Sequence, residues 1–153
     1  MGERIPLGYL FPLRILCGLI LLMEGWGKLQ GGWLHGTALL TTLGAWLDAG
    51  KPYHFFIPMV ESARAHPKIF GALITTGELV IGVSMLLGLL TRVSAFLGAV
   101  MLFSIAFGAG QGLAPPGNAM LMGALFVLFV FAPPGRVLGF DAALRARLPG
   151  WMV

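Results

Sequence analysis

The chain has 153 residues, 58% of them hydrophobic and 10% charged, where a water-soluble domain carries about a quarter charged residues, so it reads as one domain whose solvent is mostly lipid. Its net charge of +4 comes from ten basic and six acidic residues, several of them inside apolar runs, without the clustered basic stripe that nucleic-acid binding needs. A single cysteine, Cys17, excludes an intramolecular disulfide or a CxxC pair, so thiol chemistry would require a partner protein.

Arg4 and Arg14 precede the apolar run Ile15 to Met23 in the manner of a secretory signal. No A-x-A-like cleavage site follows and the apolar character continues to Trp26, which predicts a retained helix. Leu16-Cys17-Gly18 is a poor lipoprotein motif because Arg14 stands where a leucine is expected. A bilayer core about 30 Å thick needs roughly 20 apolar residues per helix. Pro6 to Leu29, Lys68 to Leu90, Arg92 to Leu113 and Asn118 to Pro133 meet or approach that length, the last being short unless the bilayer is thin there. Pro115-Pro116-Gly117 and Pro133-Pro134-Gly135 punctuate the third and fourth helices, and short connections make neighbours antiparallel.

The segment of residues 35–66 between the first two helices is far longer than an ordinary connection. Leu39, Leu40, Leu43, Trp46 and Leu47 recur at helical spacing, and after Pro52 so do Phe56, Met59, Val60 and Ala63. Both pieces are predicted to be short amphipathic helices on the membrane surface or capping the bundle. The tail, residues 137–153, reads as a short surface helix with Asp141, Arg145 and Arg147. The predicted fold is all-α: an integral membrane four-helix bundle with short amphipathic helices in the long loop between helices 1 and 2. Arg4, Arg14, Arg92, Arg136, Arg145 and Arg147 fall on the side of the termini, against Lys28, Lys51, Arg64 and Lys68 on the other. This split places the termini in the cytoplasm.

Lipid tails remove the hydrophobic drive between helices, so small residues must carry the packing. Ser84 with Gly88, Ser94 with Gly98, Ala95 with Ala99, and Ala119 with Gly123 have the required spacing. This pattern is common to membrane bundles and is silent on function.

Ionisable groups in hydrocarbon cost several kcal/mol each and need a partner or a water-filled cavity. Four stand out: Arg14, Glu24 and Lys28 in the first helix and Glu78 near the middle of the second. Glu24 and Lys28 are four apart in the favourable order for an ion pair. Arg14 and Lys28 are nearly aligned, because fourteen residues at about 100° each return close to the starting direction. If this stripe faces the bundle, Glu78 is expected nearer to Arg14 than to Glu24, and an Arg14 to Glu78 bond follows. Such a pair can be a purely structural bridge or part of a functional site.

His35, His54 and His66 show no HxxxH or His-carboxylate spacing, so no metal site is expected. His35 and His54 can approach Glu24 and Lys28 from the surface segment, forming with Trp26, Trp33 and Tyr53 a polar pocket suited to a quinone or a lipid headgroup. The competing reading is an aromatic belt at the interface with polar residues beside it.

Leu13-Arg14-Ile15-Leu16-Cys17-Gly18, Glu24-Gly25-Trp26-Gly27-Lys28-Leu29, Gly77-Glu78-Leu79 and Leu87-Gly88-Leu89-Leu90-Thr91-Arg92, in that order, resemble the DoxX/DoxD-like membrane proteins. Asn118, Pro134-Gly135 and Asp141 extend the resemblance over nearly the whole chain. Glu24 stands where many members have a histidine. The resemblance implies a four-helix protein of a prokaryotic cytoplasmic membrane, in a family that includes the small membrane subunit of thiosulfate:quinone oxidoreductase. It directs attention to Arg14, Glu24, Lys28 and Glu78.

The expected function is a membrane subunit of a quinone-linked redox system. Lys28 and Arg14 would polarise a quinone carbonyl while Glu24 or Glu78 relays protons. No haem, iron-sulfur, flavin or metal motif accompanies it, so electrons would come from a soluble redox partner or directly from substrate. The alternatives are a non-catalytic scaffold or anchor for a soluble partner, and a small transporter or lipid-handling protein working as a homo-oligomer. The scaffold would recruit its partner through the long segment or the basic tail, and the transporter would line a pathway with its intramembrane charges.

Overall fold

A computed structural model describes residues 7–111, 118–136, 139–144 and 149. A 3₁₀ turn at Leu7–Leu10 leads into helix α1 (Phe11–Gln30). Then come a 3₁₀ turn at Trp33–His35, α2 (Thr37–Asp48), a 3₁₀ turn at His54–Phe56 and α3 (Ile57–Ala65). Three further helices are α4 (Pro67–Leu87), α5 (Thr91–Gly108) and α6 (Asn118–Phe131). A 3₁₀ turn at Pro134–Arg136 and α7 (Phe140–Leu144) complete the described fold. The chain is all-α among these residues, and three helices are long and apolar enough to cross a membrane: Gly8–Gln30, Pro67–Leu87 and Thr91–Gly108.

The predicted boundaries shift for local reasons. The second long helix stops at Leu87, three residues before the expected Leu90, because Gly88 takes the left-handed conformation at φ 66° and closes the last turn. Glycine adopts that region without steric cost. The third stops at Gly108, where Gly110 turns the chain at φ 62°; the expected end at Leu113 lies outside the described residues. Helix α6, at 14 residues, measures about 21 Å, less than a hydrocarbon core. Arg4, residues 112–117, Arg145 and Arg147 also lie outside the described residues, and of the surface helix expected in the tail only α7 is described.

The bundle consists of two intimate antiparallel pairs. Helix α1 packs on α4 through glycines: a Cβ on Gly82 would sit 2.9 Å from the Leu22 backbone nitrogen and 3.0 Å from the Gly18 carbonyl oxygen, and one on Gly25 would meet Glu78 at 3.0 Å. Backbones this close exclude any side chain from the seam. Helix α5 packs on α6 with Gly98 under the Phe126 ring and Gly123 against Phe103. Cys17, Leu21, Ile81, Met85, Ala95, Phe126 and Phe129 form the shared core.

Helices α2 and α3 have a small core of their own, Leu39, Leu43, Val60 and Ala63, seated on Phe70 and Ile74 of α4. Both stripes read from the sequence supply it. The segment covers the end of the bundle where α1 and α5 finish and α4 begins. It is tied down where the Tyr53 N–H donates to the Phe107 carbonyl at 3.1 Å and where Gly71 lies directly beneath the Trp33 carbonyl.

Candidate functional site

The α1–α4 seam determines which charges meet. With Gly25 opposite Glu78, Lys28 lies one turn further along α1 and its ammonium reaches both Glu78 carboxylate oxygens at 2.8 Å. It also donates to Glu24 at 3.3 Å and lies 5.4 Å from the Trp33 ring centroid. Glu78 is buried, with a side chain 3% exposed, and Lys28 nearly so at 15%, whereas Glu24 at 63% faces outward. The Lys28 ammonium lies within hydrogen-bond distance of two carboxylates. One cation thus stands against two anions.

The expected Arg14 to Glu78 bond is not formed. Glycine-to-glycine packing opposes Glu78 to Gly25 rather than to the start of α1, and from residue 14 to residue 28 the helix rises about 21 Å. Arg14 therefore belongs to the opposite end of the bundle and shares no pocket with Lys28. It is 1% exposed, with its guanidinium against Gly88 and Gly139 and 5.0 Å from the Phe11 ring centroid. Nε and Nη1 have no hydrogen-bond partner among the described residues.

The nearby anion is Asp141, fully buried and acting on Arg14 electrostatically. Its carboxylate accepts the backbone N–H groups of Leu90 at 2.6 Å and Thr91 at 2.9 Å, together with the Thr91 hydroxyl. It thereby satisfies the start of α5, where orphan N–H groups and the helix dipole both favour a negative charge. The bond to its N–H also helps to hold Leu90 in the left-handed region at φ 50°, a conformation costly for a leucine.

Beside the Lys28 end, a cavity of about 580 Å³ lies between α2 and α3 on one side and α4 and α5 on the other. Lys28 is the charged residue of its described lining, and the walls are otherwise almost wholly apolar, with Trp33, Trp46, Phe56, Ile81 and Ile105 among them. The hydroxyls of Thr42 and Ser104 also line it, and both donate to carbonyls of their own helices, at 2.9 and 2.8 Å. Leu73 and Val80 of α4 and Leu97 and Val100 of α5 line the cavity while remaining more than half exposed on the outside of two helices long and apolar enough to cross a membrane. The opening is thus sideways, between the two helix pairs.

Residues 9–111 match the DoxX family. The chain belongs to the DoxX family. Nothing among curated proteins or solved structures matches it. In this DoxX chain the matched region holds Arg14, Glu24, Lys28, Glu78 and the whole cavity lining, while Asp141 lies beyond it. The family and the three long apolar helices make it a multi-pass membrane protein.

Of the residues expected to surround a ligand in the DoxX chain, Trp33 lines the cavity beside Lys28. Trp26, His35, Tyr53 and His54 are exposed and lie outside the lining. Tyr53 instead packs edge-on to Phe107 at 5.8 Å between ring centroids, in an aromatic cluster with Phe55 and Phe56. The described cavity is instead an apolar chamber with Lys28 in its wall. Among the described residues, no three His, Cys, Asp or Glu side chains converge as metal ligands would.

Proposed function

We propose that this protein is a four-helix membrane component of a quinone-linked redox system and that the cavity between α2, α3, α4 and α5 is its quinone site. The observation that carries this reading is the lateral cavity itself: its mouth faces lipid, its walls are apolar, and Lys28 stands at one end. A molecule dissolved in the bilayer can reach it without crossing water. Trp33 and Trp46 would hold the ring and tail by contact, and the Lys28 to Glu78 pair would present polar atoms to the head. A bound quinone supplies an electron-accepting ring. The chain's own contribution is to orient it, exclude water and carry charge at the Lys28 end. With its lone thiol on Cys17 only 2% exposed, the chain offers no dithiol, and in this reading a soluble partner supplies the electrons.

In the same reading α6 is the fourth crossing, short for a bilayer and lengthened by the chain that follows it. The six-to-four split of Arg and Lys between the two sides in the sequence supports cytoplasmic termini in a prokaryotic membrane in this reading. Purified protein with Trp26→Phe and Trp151→Phe leaves Trp33 and Trp46 as reporters. Decylubiquinone should quench them saturably, and Ser104→Phe, which fills the cavity, should weaken binding at least about tenfold. Quenching that never saturates, or is indifferent to Ser104→Phe, would remove the quinone site. A second reading, storage or transfer of a lipid chain, has the mostly apolar lining in its favour; a co-purifying lipid that decylubiquinone fails to displace would select it.

A further inference from the structure

We infer that the cavity is selective for uncharged lipophiles and rejects amphiphiles with an anionic head, even though the charged residue in its wall is a lysine. This rests on reading the cavity as a site for membrane-dissolved ligands, and it concerns the charge of the head that the site accepts.

A lysine at the end of an apolar chamber is ordinarily the mark of a carboxylate or phosphate site, as in proteins that hold fatty acids or phospholipids. Here the arrangement behind it reverses that expectation. Both Glu78 oxygens are 2.8 Å from Nζ and Glu24 is at 3.3 Å. The lysine charge is therefore already paired with two carboxylates before any anion arrives. An incoming carboxylate or phosphate would meet a cation already outnumbered by carboxylates, one of them 3% exposed, where low polarity strengthens repulsion between like charges. The other polar groups of the wall do not repair this, since the Thr42 and Ser104 hydroxyl protons are committed to backbone carbonyls. Lys68 and His35, at the same end of the bundle, are exposed and lie outside the lining. An uncharged head meets none of these penalties, and the apolar walls stabilise its chain by about 0.8 kcal/mol per buried methylene. The lateral mouth between Leu73 and Val80 of α4 and Leu97 and Val100 of α5 gives membrane-dissolved molecules direct access. Selection therefore falls on the head.

The test uses two ligands with one chain and two heads: 9,10-dibromostearyl alcohol and 9,10-dibromostearyl phosphate, whose bromines quench tryptophan. Each is titrated by mole fraction into phosphatidylcholine vesicles holding the full chain with Trp26→Phe and Trp151→Phe. The alcohol should half-quench Trp33 and Trp46 at a mole fraction at least about tenfold lower than the phosphate, equivalent to about 1.4 kcal/mol. Glu78→Gln, which leaves Lys28 facing the cavity with one carboxylate removed, should lower the phosphate requirement about tenfold and so narrow the ratio between the two ligands. Glu24→Gln, at an exposed position, should move the phosphate the same way by about threefold and serves if Glu78→Gln does not fold. Equal or tighter binding of the phosphate by the unaltered protein overturns the inference. So does a ratio that neither folded variant changes, or the absence of saturable quenching by either compound. Failure of decylubiquinone to displace the alcohol, with the head preference intact, would instead overturn the quinone reading and leave this one standing.

Discussion

Lys28 on α1 and Glu78 on α4, fifty residues apart, form a two-pronged ion pair with both N to O distances at 2.8 Å. The pair is the only charge-to-charge bridge between membrane helices among the described residues, and it lies where the α1–α4 glycine seam brings the two backbones close together. Removing one partner strands the other in a medium that cannot hydrate it.

Lys28→Met should therefore destabilise the protein by about 3–5 kcal/mol, because Glu78 is left buried and unpaired. Lys28→Met with Glu78→Met should recover most of that loss. Unfolding in mixed micelles, followed by tryptophan fluorescence as denaturing detergent is increased, measures both. A double variant no more stable than the single one would show that the pair has no energetic coupling.

The seam itself responds to a single methyl group. A Cβ on Gly82 would collide with backbone of α1, at 2.9 Å from the Leu22 nitrogen, and backbone cannot rotate away as a side chain can. Gly82→Ala should cost about 1–3 kcal/mol in the same assay. Gly27→Ala, whose Cβ would meet nothing within 4 Å, should be neutral or slightly stabilising.

At the other end, Asp141→Ala should destabilise by about 2–4 kcal/mol, since it strips two backbone N–H groups of their acceptor and leaves Arg14 without its nearby anion. Thr91→Val, which removes one hydroxyl bond, should cost about 1 kcal/mol. Ligand-induced quenching of Trp33 and Trp46 in folded Asp141→Ala should match the parent, because the cavity lies at the opposite end of the bundle.

Cys17 is 2% exposed in the core between Leu21 and Met85. N-ethylmaleimide should leave it unmodified in the folded protein and label it as the helices separate, following unfolding rather than local exposure. Rapid labelling under native conditions, read by mass spectrometry, would contradict the packing of α1.

The long apolar helices were legible in the sequence, and Arg14, Lys28 and Glu78 stood out there because an ionisable group within an apolar run is conspicuous by itself. Which of them would pair was not. That depends on the register of α1 against α4, fixed by Gly18, Gly25 and Gly82, which resemble the other glycines of the chain; the small-residue pairs singled out beforehand included Gly98 and Gly123 of the α5–α6 contact but missed this seam. Asp141 was visible as an acidic residue in a tail and as part of the family resemblance, with no role attached. Its task depends on the turn at Leu90, brought to it by folding. The cavity left no mark on the sequence because it is a gap: its walls come from residues 28 to 108, most of them ordinary apolar or aromatic positions in their own segments. The two amphipathic stripes did indicate that α2 and α3 pack on something, and Leu39, Leu43, Val60 and Ala63 are the buried side of both.

The carboxylate that closes the start of α5 is synthesised fifty residues after the backbone groups it serves. During translation the Leu90 to Thr91 turn therefore stays open, and Arg14 uncompensated by Asp141, while α5 and α6 are made. The Arg14 end of the bundle is closed only once Asp141 has been added. A nascent chain halted between residue 108 and Asp141 would carry the cavity lining and the Lys28 to Glu78 pair at one end while the other stayed unsealed, a state that quality-control proteases that act within the membrane could distinguish from the finished protein.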